Sequence, residues 1–563
     1  MQVIKSIFRL CLFVFPTLTI AQSTYITQGD KAYDFIDRVE IKLKNNNTLN
    51  QSSLKPYNRK YVVQAIESSM SDSAKTGSNA MKLLTSVDAY NLESLYLNNA
   101  EWVKGDKSRF VSKKSLWGQL YQTKANLLQV KTSDLFLTVD PILNYQKSFG
   151  SELDKGSFIN TRGVVVRGLI SKKIGFSSTI TDNQQQGPAY FNDRVNQYNQ
   201  VPHVGFWKPF KNSGFDYFDA RGYVSFQVAK TVDVQFGYDN NIIGNGYRSL
   251  FLSDYANSYI FLKLNVRKGK FEYQTLFNEL LPSYTKSGDV LLDRKYGAFY
   301  HIGFNAAKWL NIGAFEGVIF GNKNDFGLKN VNPLIFSRHI AGFDNSPDNA
   351  IAGLDVKANI LNHFQVYGQL LLDEFKFSEL SKNNGYWANK TGYQAGVKYI
   401  DAFGLDNLDL QVETNKVRPF TYAYNNNIAS YTHYNLPLAH PLGANFQEFI
   451  GILKYQPLLK WRLNAVLVNY KQGLDSMGIN FGSNPFENTL TRKKDQGYKI
   501  KDGNTASVTN VNLELSYELR ENLFLEGGLL HRSYMTTTKP TSASSNLISF
   551  GIRWNLFKTR YDL

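Results

Sequence analysis

Apolar residues recur at helical spacing in the first part of the chain, between about residues 29 and 100. Three stretches carry this spacing: Ala32, Phe35, Ile36 and Val39; Tyr61, Val62, Ala65 and Ile66; and Leu92, Leu95 and Tyr96. Residues three and four positions apart share one face of an α-helix. The pattern therefore predicts short amphipathic helices that pack as a small module, and nothing in this module indicates catalysis.

From about residue 115 the period of the pattern changes to two and stays there to the end of the chain. In the last such segment Ile548, Phe550 and Ile552 alternate with Ser549 and Gly551. The same alternation occupies 232–239, 408–413, 459–467 and 511–519. Successive side chains of a β-strand point to opposite faces of its sheet. These segments are therefore predicted strands with one apolar, aromatic-rich face and one polar face.

The connections between the predicted strands alternate in length. Short joints lie at 230–231, 268–269, 309–311, 361–363, 456–458 and 520–522. Long segments lie between them, at 180–215, 240–257, 279–296, 321–350, 376–391, 418–445, 471–510 and 535–546. Short turns at one rim and long loops at the other are typical of an outer-membrane barrel, whose apolar band faces lipid and whose polar face lines the interior. We predict an all-β transmembrane barrel of antiparallel strands.

The number of strands follows from the position of the two chain ends. Nineteen strands are counted from residue 124 onward, but an even number is needed if both ends lie on the periplasmic side. We expect 18 strands, with 20 as the alternative if a further strand precedes residue 124. The predicted division is a periplasmic helical module at 22–110 and a barrel with long external loops at 111–563.

The amino terminus resembles a secretory signal at residues 1–21. Lys5 and Arg9 precede a short apolar stretch, and a plausible cleavage site lies before Gln22. The only cysteine, Cys11, lies inside this leader, so the exported chain is expected to hold no disulfide and no thiolate. No later run of 18 apolar residues occurs, which excludes helical membrane spans.

Composition narrows the possible partners. The 563 residues include 63 Lys and Arg against 47 Asp and Glu, for a formal net charge of +16. Such a surplus favours anionic lipid, an acidic polymer or nucleic acid. Export makes nucleic acid the weakest of the three, so we expect no nucleic-acid partner. The predicted location is the outer membrane of a Gram-negative bacterium, in contact with its lipid.

Sequence signatures of catalysis are not found. The seven histidines show no i, i+4 zinc spacing, and neither a nucleophile elbow nor a phosphate-binding loop occurs. Gly244-Asn245-Gly246 resembles the start of a dinucleotide fingerprint, but no predicted helix follows it. Glu514 and Glu518 lie roughly 13 Å apart along one strand, farther than the usual acid/base pair. We predict no enzyme activity, no cofactor and no metal.

Four stretches carry a family likeness. They are Tyr33 to Arg38, Ser53 to Arg59, Ile243 to Asp254 and Leu438 to Asn445. The first two resemble the periplasmic helical segment of the Wzi capsule-assembly family. The last two resemble motifs of Wzi-like proteins from gliding bacteria, the RemB type. The resemblance implies an 18-stranded outer-membrane barrel that handles surface polysaccharide, either exopolysaccharide or capsule, with a role in capsule assembly or gliding motility.

Loop residues that suit sugars are the candidate ligand-binding residues, because aromatic faces stack on sugar rings and amides bind hydroxyls. The candidates are Trp207, Tyr247, Arg248, Asp254, Trp387, His433 and His440. For the aromatic loop residues the competing interpretation is loop packing or an interfacial aromatic belt. For Tyr247, Arg248 and Asp254 it is a structural fold into the lumen, with the arginine and aspartate paired.

Two other functions remain open on sequence grounds. A porin-like channel for small solutes is the first, since a barrel of this size has room for a water-filled lumen. A structural accessory that binds other envelope proteins of secretion or gliding machinery is the second.

Overall fold

The structure is a computed structural model that describes residues 22–556, apart from 45, 77–79, 113–119, 151–156, 212, 284–290, 325–330, 337–347, 375, 383 and 542. The predicted leader, residues 1–21, lies outside the described residues. Among the described residues, no helix is both long enough and apolar enough to cross a membrane.

Three helices form the amino-terminal segment: α1, Ala32–Leu43; α2, Arg59–Thr76; and α3, Ser86–Asn98. Helix α3 begins at Thr85, whose hydroxyl accepts from the Asp88 backbone N–H while the Asp88 carboxylate accepts from the Thr85 N–H. This reciprocal capping box satisfies two otherwise unpaired donors. The apolar faces of the three helices pack into one cluster that includes Phe35, Ile36 and Ile66.

Eighteen long antiparallel strands form one closed barrel, which confirms the predicted fold and strand number. They are β1 Leu135–Gly150, β2 Ser157–Ile170, β3 Ile174–Gln186, β4 Gly214–Ala229, β5 Val232–Asp239, β6 Tyr259–Lys268, β7 Phe271–Leu280, β8 Lys295–Ala307, β9 Leu310–Ile319, β10 Asn349–Ile360, β11 Phe364–Glu374, β12 Lys390–Tyr399, β13 Leu408–Val417, β14 Phe446–Leu458, β15 Trp461–Leu474, β16 Asn504–Arg520, β17 Leu523–Thr536 and β18 Ala543–Trp554. Closure is made by β18 and β1, whose register runs from Leu547 opposite Gly150 to Trp554 opposite Leu143.

Short segments supplement the barrel. Leu128–Lys131 pairs with the start of β1, and Lys208–Phe210 pairs with the start of β4. A helix, α4 Ala189–Tyr198, lies in the β3–β4 loop, and Phe377–Leu380 forms one helical turn in the β11–β12 loop. These elements extend the barrel without changing its strand order.

The barrel has two unlike ends. At one end, called here the short-turn end, the strands are joined by brief connections such as 230–231, 269–270, 459–460 and 521–522. At the other end, the long-loop end, the connections include 187–213, 240–258, 418–445 and 475–503. The alternation in length is as predicted, although some joints differ from the predicted positions by one to three residues.

The two faces of the sheet differ as the alternation requires. Phe550 is 63% exposed and Leu354 is 54% exposed on the outer face, whereas inward-facing Lys357 and Glu518 are buried. An apolar outer band is the surface expected against acyl chains, and the closed ladder leaves no strand edge unpaired. Most polar strand residues therefore face the lumen, although a few, such as Arg162, Asn469 and His531, are exposed on the outer face.

Arginine at an outward position is expected to destabilise the barrel in lipid, whereas arginine at the adjacent inward position is not. Leu513 lies midway along β16 on the outer face, and Asn512 faces the lumen. Leu513→Arg should lower the free energy of unfolding in phospholipid vesicles by about 2–4 kcal/mol. Asn512→Arg is the matched control. Equal effects of the two substitutions in denaturant titrations would contradict the assigned faces.

Candidate functional site

The amino-terminal helices occupy the lumen at the short-turn end. Their charged side chains pair with inward-facing residues around the barrel wall. The pairs are Lys31 with Glu518 and Glu521, Asp34 with Lys454, Asp37 with Lys398, Arg38 with Asp401 and Asp409, Glu40 with Lys357, and Glu101 with Arg167. Because these partners lie on strands or turns from β2 to β17, the helices are fixed to many sides of the barrel at once.

A buried charge cluster is the centre of this attachment. Arg38 Nε lies 2.8 Å from Asp88 Oδ1, and its Nη2 lies 2.8 Å from Asp401 Oδ1 in the β12–β13 turn. Lys42 Nζ lies 2.6 Å from Asp88 Oδ2. Burial alone would raise the pKa of Asp88, but the hydrogen bond and charge of Arg38, together with Lys42, lower that pKa to about 2. The Asp88 carboxylate is therefore ionised at neutral pH.

The β5–β6 loop, residues 240–258, folds down into the lumen and is called here the inward loop. Its Ile242–Ile243 segment pairs with Leu54–Lys55 of the amino-terminal segment as a two-stranded sheet. The Gly244 N–H donates to the Ser53 carbonyl at 2.8 Å, and Lys55 Nζ donates to the Gly244 carbonyl at 2.6 Å. Burial lowers the pKa of Lys55 to about 7. The loop from the long-loop end thus meets the helices from the short-turn end.

Glu413 of β13 holds the tip of the inward loop. Its carboxylate accepts the backbone N–H of Tyr247 at 2.6 Å and of Arg248 at 3.0 Å. A Cβ at Gly246 would lie 2.5 Å from Glu413 Oε2 and 2.7 Å from Gln394 Oε1, so a larger residue would displace these two side chains. The Gly-Tyr-Arg stretch that carried the family resemblance is therefore an anchoring turn.

The β13–β14 loop, residues 418–445, lies over the inward loop and is called here the covering loop. Tyr431 donates its hydroxyl to the Phe251 carbonyl, and Tyr422 donates to the Leu250 carbonyl, each at 2.8 Å. With the surrounding inward side chains these residues form a large buried apolar cluster. One half of the lumen, bounded by strands from β5 to β14, is thereby filled with protein.

The other half of the lumen contains a cavity of about 680 Å³, called here the lumen chamber. Its floor is α1, and its wall is formed mainly by β1–β4 and β14–β18, with Lys398 of β12 and Gln411 of β13. The wall presents amides and hydroxyls, among them Asn144, Gln146, Asn464, Asn510, Asn512 and Ser549. The chamber reaches residues near both ends of these strands, from Ser148 and Ser157 to Asn522 and Asn555.

A basic surface lies at the long-loop end, where residues 384–387 pair with residues 495–498. Trp387 N donates to the Asp495 carbonyl at 2.9 Å, and Gly497 N donates to the Asn384 carbonyl at 2.8 Å. The Arg492 guanidinium lies 3.9 Å from the centroid of the Trp387 ring, within range of a cation–π contact. The basic ledge is defined as Lys382, Trp387, Arg492, Lys493, Lys494 and Lys499, and its lysines are exposed.

The predicted ligand residues fall into three groups. Tyr247, Arg248 and Asp254 are brought together on the wall of the lumen chamber. Arg248 Nη2 also lies 3.3 Å from Oε1 of the buried Glu448. The alternative stated from the sequence was a structural pair of Arg248 with Asp254, and the carboxylate in the observed pair is Glu448. Asp254 is not that partner in the ion pair the structure shows. Their binding role stays a prediction.

Both predicted histidines lie buried in the covering loop. His433 Nδ1 accepts the Leu281 N–H, so its Nε2 carries the proton and donates to the Ser258 carbonyl. Burial lowers the pKa of His433 to about 3, so the ring is neutral. His440 Nε2 lies 2.8 Å from Glu448 Oε2 and the ring stacks on Phe446.

The two predicted tryptophans are separate from the chamber. Trp207, in the β3–β4 loop, is 8% exposed and packs edge-on against Phe215 at the start of β4. Trp387 belongs to the basic ledge, where Arg492 covers one face of its ring. Sequence reasoning missed the ledge lysines. The run Arg492-Lys493-Lys494 was the available signal.

Among the described residues, no group of three or more His, Cys, Asp or Glu side chains is arranged to hold a metal ion. Several charged groups of the lumen are instead ion-paired, as in the Arg38 cluster. The fold and the site together define a class: a closed 18-stranded barrel whose lumen is obstructed by an amino-terminal helical segment and by its own loops.

Comparison with known proteins assigns the chain to a family. The family model of capsule assembly protein Wzi matches residues 85–528, and the chain belongs to that family. A comparison with curated protein sequences finds no significant match.

Among solved structures, the chain is similar to Wzi of Escherichia coli, an outer-membrane protein involved in group 1 capsule assembly and described as a carbohydrate-binding β-barrel. The TM-score is 0.54 at 14% identity, covering 96% of this chain and 100% of that chain. It is less similar to OprD of Pseudomonas aeruginosa, with a TM-score of 0.41 at 11% identity over 74% of this chain and 94% of that chain. OccK8 of the same organism gives 0.41 at 8% identity over 74% and 97%.

Protonation of Asp88 is expected to loosen the helices in acid. A carboxylate whose pKa is lowered in the folded state stabilises that state above its unfolded pKa, near 3.8, and loses the contribution as the pH falls toward about 2. The protection of amides in α1 and α3, relative to their intrinsic exchange rates, should therefore fall between about pH 4 and pH 2, by about 2 kcal/mol.

Asp88→Asn should show faster exchange in α1 and α3 at neutral pH and a smaller change across that acid range. Asp406→Asn, an exposed carboxylate in the β12–β13 turn, is the matched control and should behave as the unmodified protein. Identical pH profiles for Asp88→Asn and the unmodified protein would contradict the role of the cluster.

Proposed function

We propose that this protein is an outer-membrane barrel of the Wzi family that binds surface polysaccharide, exopolysaccharide or capsule, at its long-loop end. In this proposal the helical segment closes the barrel from the periplasm. The observation that carries the proposal is the obstruction of the lumen from both ends, which suits a binding protein better than an open pore. Membership of the capsule assembly family and the carbohydrate binding described for the Escherichia coli structure support the same assignment.

The basic ledge is the proposed contact for an acidic polymer. Arg492 forms an ion pair with Asp495 at 2.8 Å, and Lys382 forms one with Glu379 at 2.7 Å. Lys493 and Lys499 are exposed, and neither has a carboxylate partner among the ion pairs of the described residues. Two loops joined by backbone hydrogen bonds hold these cations in place, so little ordering entropy is lost on binding. Exposed cations attract a polyanion in a salt-dependent way.

Charge reversal on the ledge is expected to weaken polysaccharide binding. Lys493→Glu with Lys494→Glu should reduce retention of the cell's own acidic exopolysaccharide by purified protein about tenfold at low salt, and less at high salt. The control is Lys172→Glu with Lys173→Glu, an exposed pair at the short-turn end. Equal binding by all three proteins, measured by biolayer interferometry, would remove the ledge from the proposal.

We also propose a cellular role in holding surface polysaccharide, with gliding motility as the finer alternative suggested by the sequence motifs. Deleting the gene should lower the amount of glycan retained on washed cells. Slower colony spreading with unchanged retained glycan would favour the motility role. No change in either measurement would count against both.

Obstruction of the lumen also predicts a low conductance. A channel for small solutes is the second candidate function, favoured by the lumen chamber because it extends between the two ends of the barrel wall. In planar bilayers we expect the purified protein to give only small or no current steps, since α1 forms the floor of the chamber. Large, steady single-channel currents at neutral pH would support the channel and contradict binding as the main activity.

A further inference from the structure

Four lysines, called here the basic arc, lie on one side of the short-turn end. They are Lys230, Lys268, Lys270 and Lys308, and all four are exposed. They occupy or adjoin three consecutive short connections, β4–β5, β6–β7 and β8–β9. Because two strands separate one such connection from the next, the connections are roughly 10 Å apart along the rim. The arc is therefore a compact patch of positive charge.

No described carboxylate pairs with the basic arc. Among the described residues, none of the four ammonium groups forms an ion pair or a hydrogen bond. The nearest acidic residues on β5 and β7 are Asp233 and Glu272, which face the lumen and are 3% and 2% exposed. Asp233 accepts from the Tyr61 hydroxyl at 2.6 Å, and Glu272 pairs with Arg267. Both carboxylates are thus engaged inside the barrel.

The charge at this end of the barrel is uneven. The short connections from β2 to β9 contain no acidic residue, and Lys172 and Lys173 of the β2–β3 turn extend the basic side. On the short connections from β10 to β17, by contrast, Lys460 is the only lysine, and Asp401, Asp406 and Glu521 are the acidic residues. An even ring of solubilising charge would not give this separation.

An apolar row lies on the outer face directly beside the basic arc. Phe271, Phe304 and Ile312 are neighbours across β7, β8 and β9 in the strand register, and the rings of Phe271 and Phe304 stack with centroids 4.8 Å apart. Phe271 is 54% exposed, and Ile312 and Trp309 are each 44% exposed. Trp309 directly follows Lys308. The cations therefore lie at the border of the apolar band, where lipid headgroups meet acyl chains.

This arrangement suits a phospholipid better than a soluble polymer. Each of the three connections is two residues long, so the ammonium groups stay close to the apolar band. Lysine side chains in such positions lay their stems along apolar surface and extend the charge toward the headgroups. Anionic headgroups attract these cations, whereas a zwitterionic headgroup carries its own cation and gains less.

We propose that the basic arc and the apolar row form a binding site for an anionic phospholipid. The phosphate contacts the lysines of the arc, and the acyl chains lie on Phe271 and Phe304. Since the short turns of outer-membrane barrels face the periplasm, the lipid belongs to the periplasmic leaflet. The site is separate from the basic ledge at the long-loop end and does not depend on glycan binding.

Lipid competition tests the site. Purified protein is placed in detergent micelles that contain equal amounts of phosphatidylglycerol and phosphatidylcholine with the same acyl chains, and the retained lipids are counted by native mass spectrometry. We expect preferential retention of phosphatidylglycerol. The triple variant Lys268→Gln, Lys270→Gln and Lys308→Gln should lower that preference about tenfold at low salt. Its denaturant midpoint should not change, because the replaced side chains are exposed.

The matched control removes the same charge outside the arc. Lys82→Gln, Lys104→Gln and Lys131→Gln replace three exposed lysines that precede the barrel strands in the chain. This variant should keep the preference of the unmodified protein. An equal loss of preference in both triple variants, or an unchanged preference in the arc variant, would overturn the proposal.

Two further measurements identify the source of the phosphate. Glycerol 3-phosphate carries the phosphate without acyl chains, and at millimolar concentration it should not displace phosphatidylglycerol. Phe271→Ser should lower retention about threefold with every lysine intact, because acyl contact is lost. Displacement by glycerol 3-phosphate, or unchanged retention by Phe271→Ser, would contradict a lipid site. If the unmodified protein shows no lipid preference but sediments with purified peptidoglycan, the arc binds a wall polymer and the proposal is wrong.

Discussion

Closure of the backbone hydrogen-bond ladder between β18 and β1 is the constraint on which the rest of the structure depends. In hydrocarbon each unpaired N–H or C=O costs several kcal/mol, so a strand protein must pair its last strand with its first. Closing eighteen strands fixes a wide lumen, and alternation directs most polar strand residues into it. Such a lumen must then be filled by water or by protein.

Protein fills it unevenly, and the unevenness follows from where the loops originate. The inward loop leaves β5 and the covering loop leaves β13, so both fold over the strands between them. Tyrosines of the covering loop donate to backbone carbonyls of the inward loop, so this half of the lumen is filled with packed protein. On the opposite side the lumen chamber remains, lined in part by Tyr190, Phe191 and Val204 of the β3–β4 loop.

Repeating patterns in the sequence predict much of this architecture. Ile548, Phe550 and Ile552 face outward as their alternation predicts, and the long and short connections distinguish the two ends. The helical stripes at Phe35 and Ile36 likewise mark buried helix faces. Patterns of this kind are readable because they depend on local geometry, with one side-chain period for a strand and another for a helix.

The chain alone thus determined the barrel, its apolar exterior and its helical amino-terminal segment, and it narrowed the strand number to 18 or 20. Only the tertiary structure decided that Arg38 meets Asp401 across 363 positions, that Glu413 holds the turn at Gly246, and that Tyr431 donates to the Phe251 carbonyl. The reason is physical: periodicity records which face a residue lies on, but not which distant residue reaches that face. Contacts between loops and lumen depend on where each loop folds, and no repeating pattern encodes that.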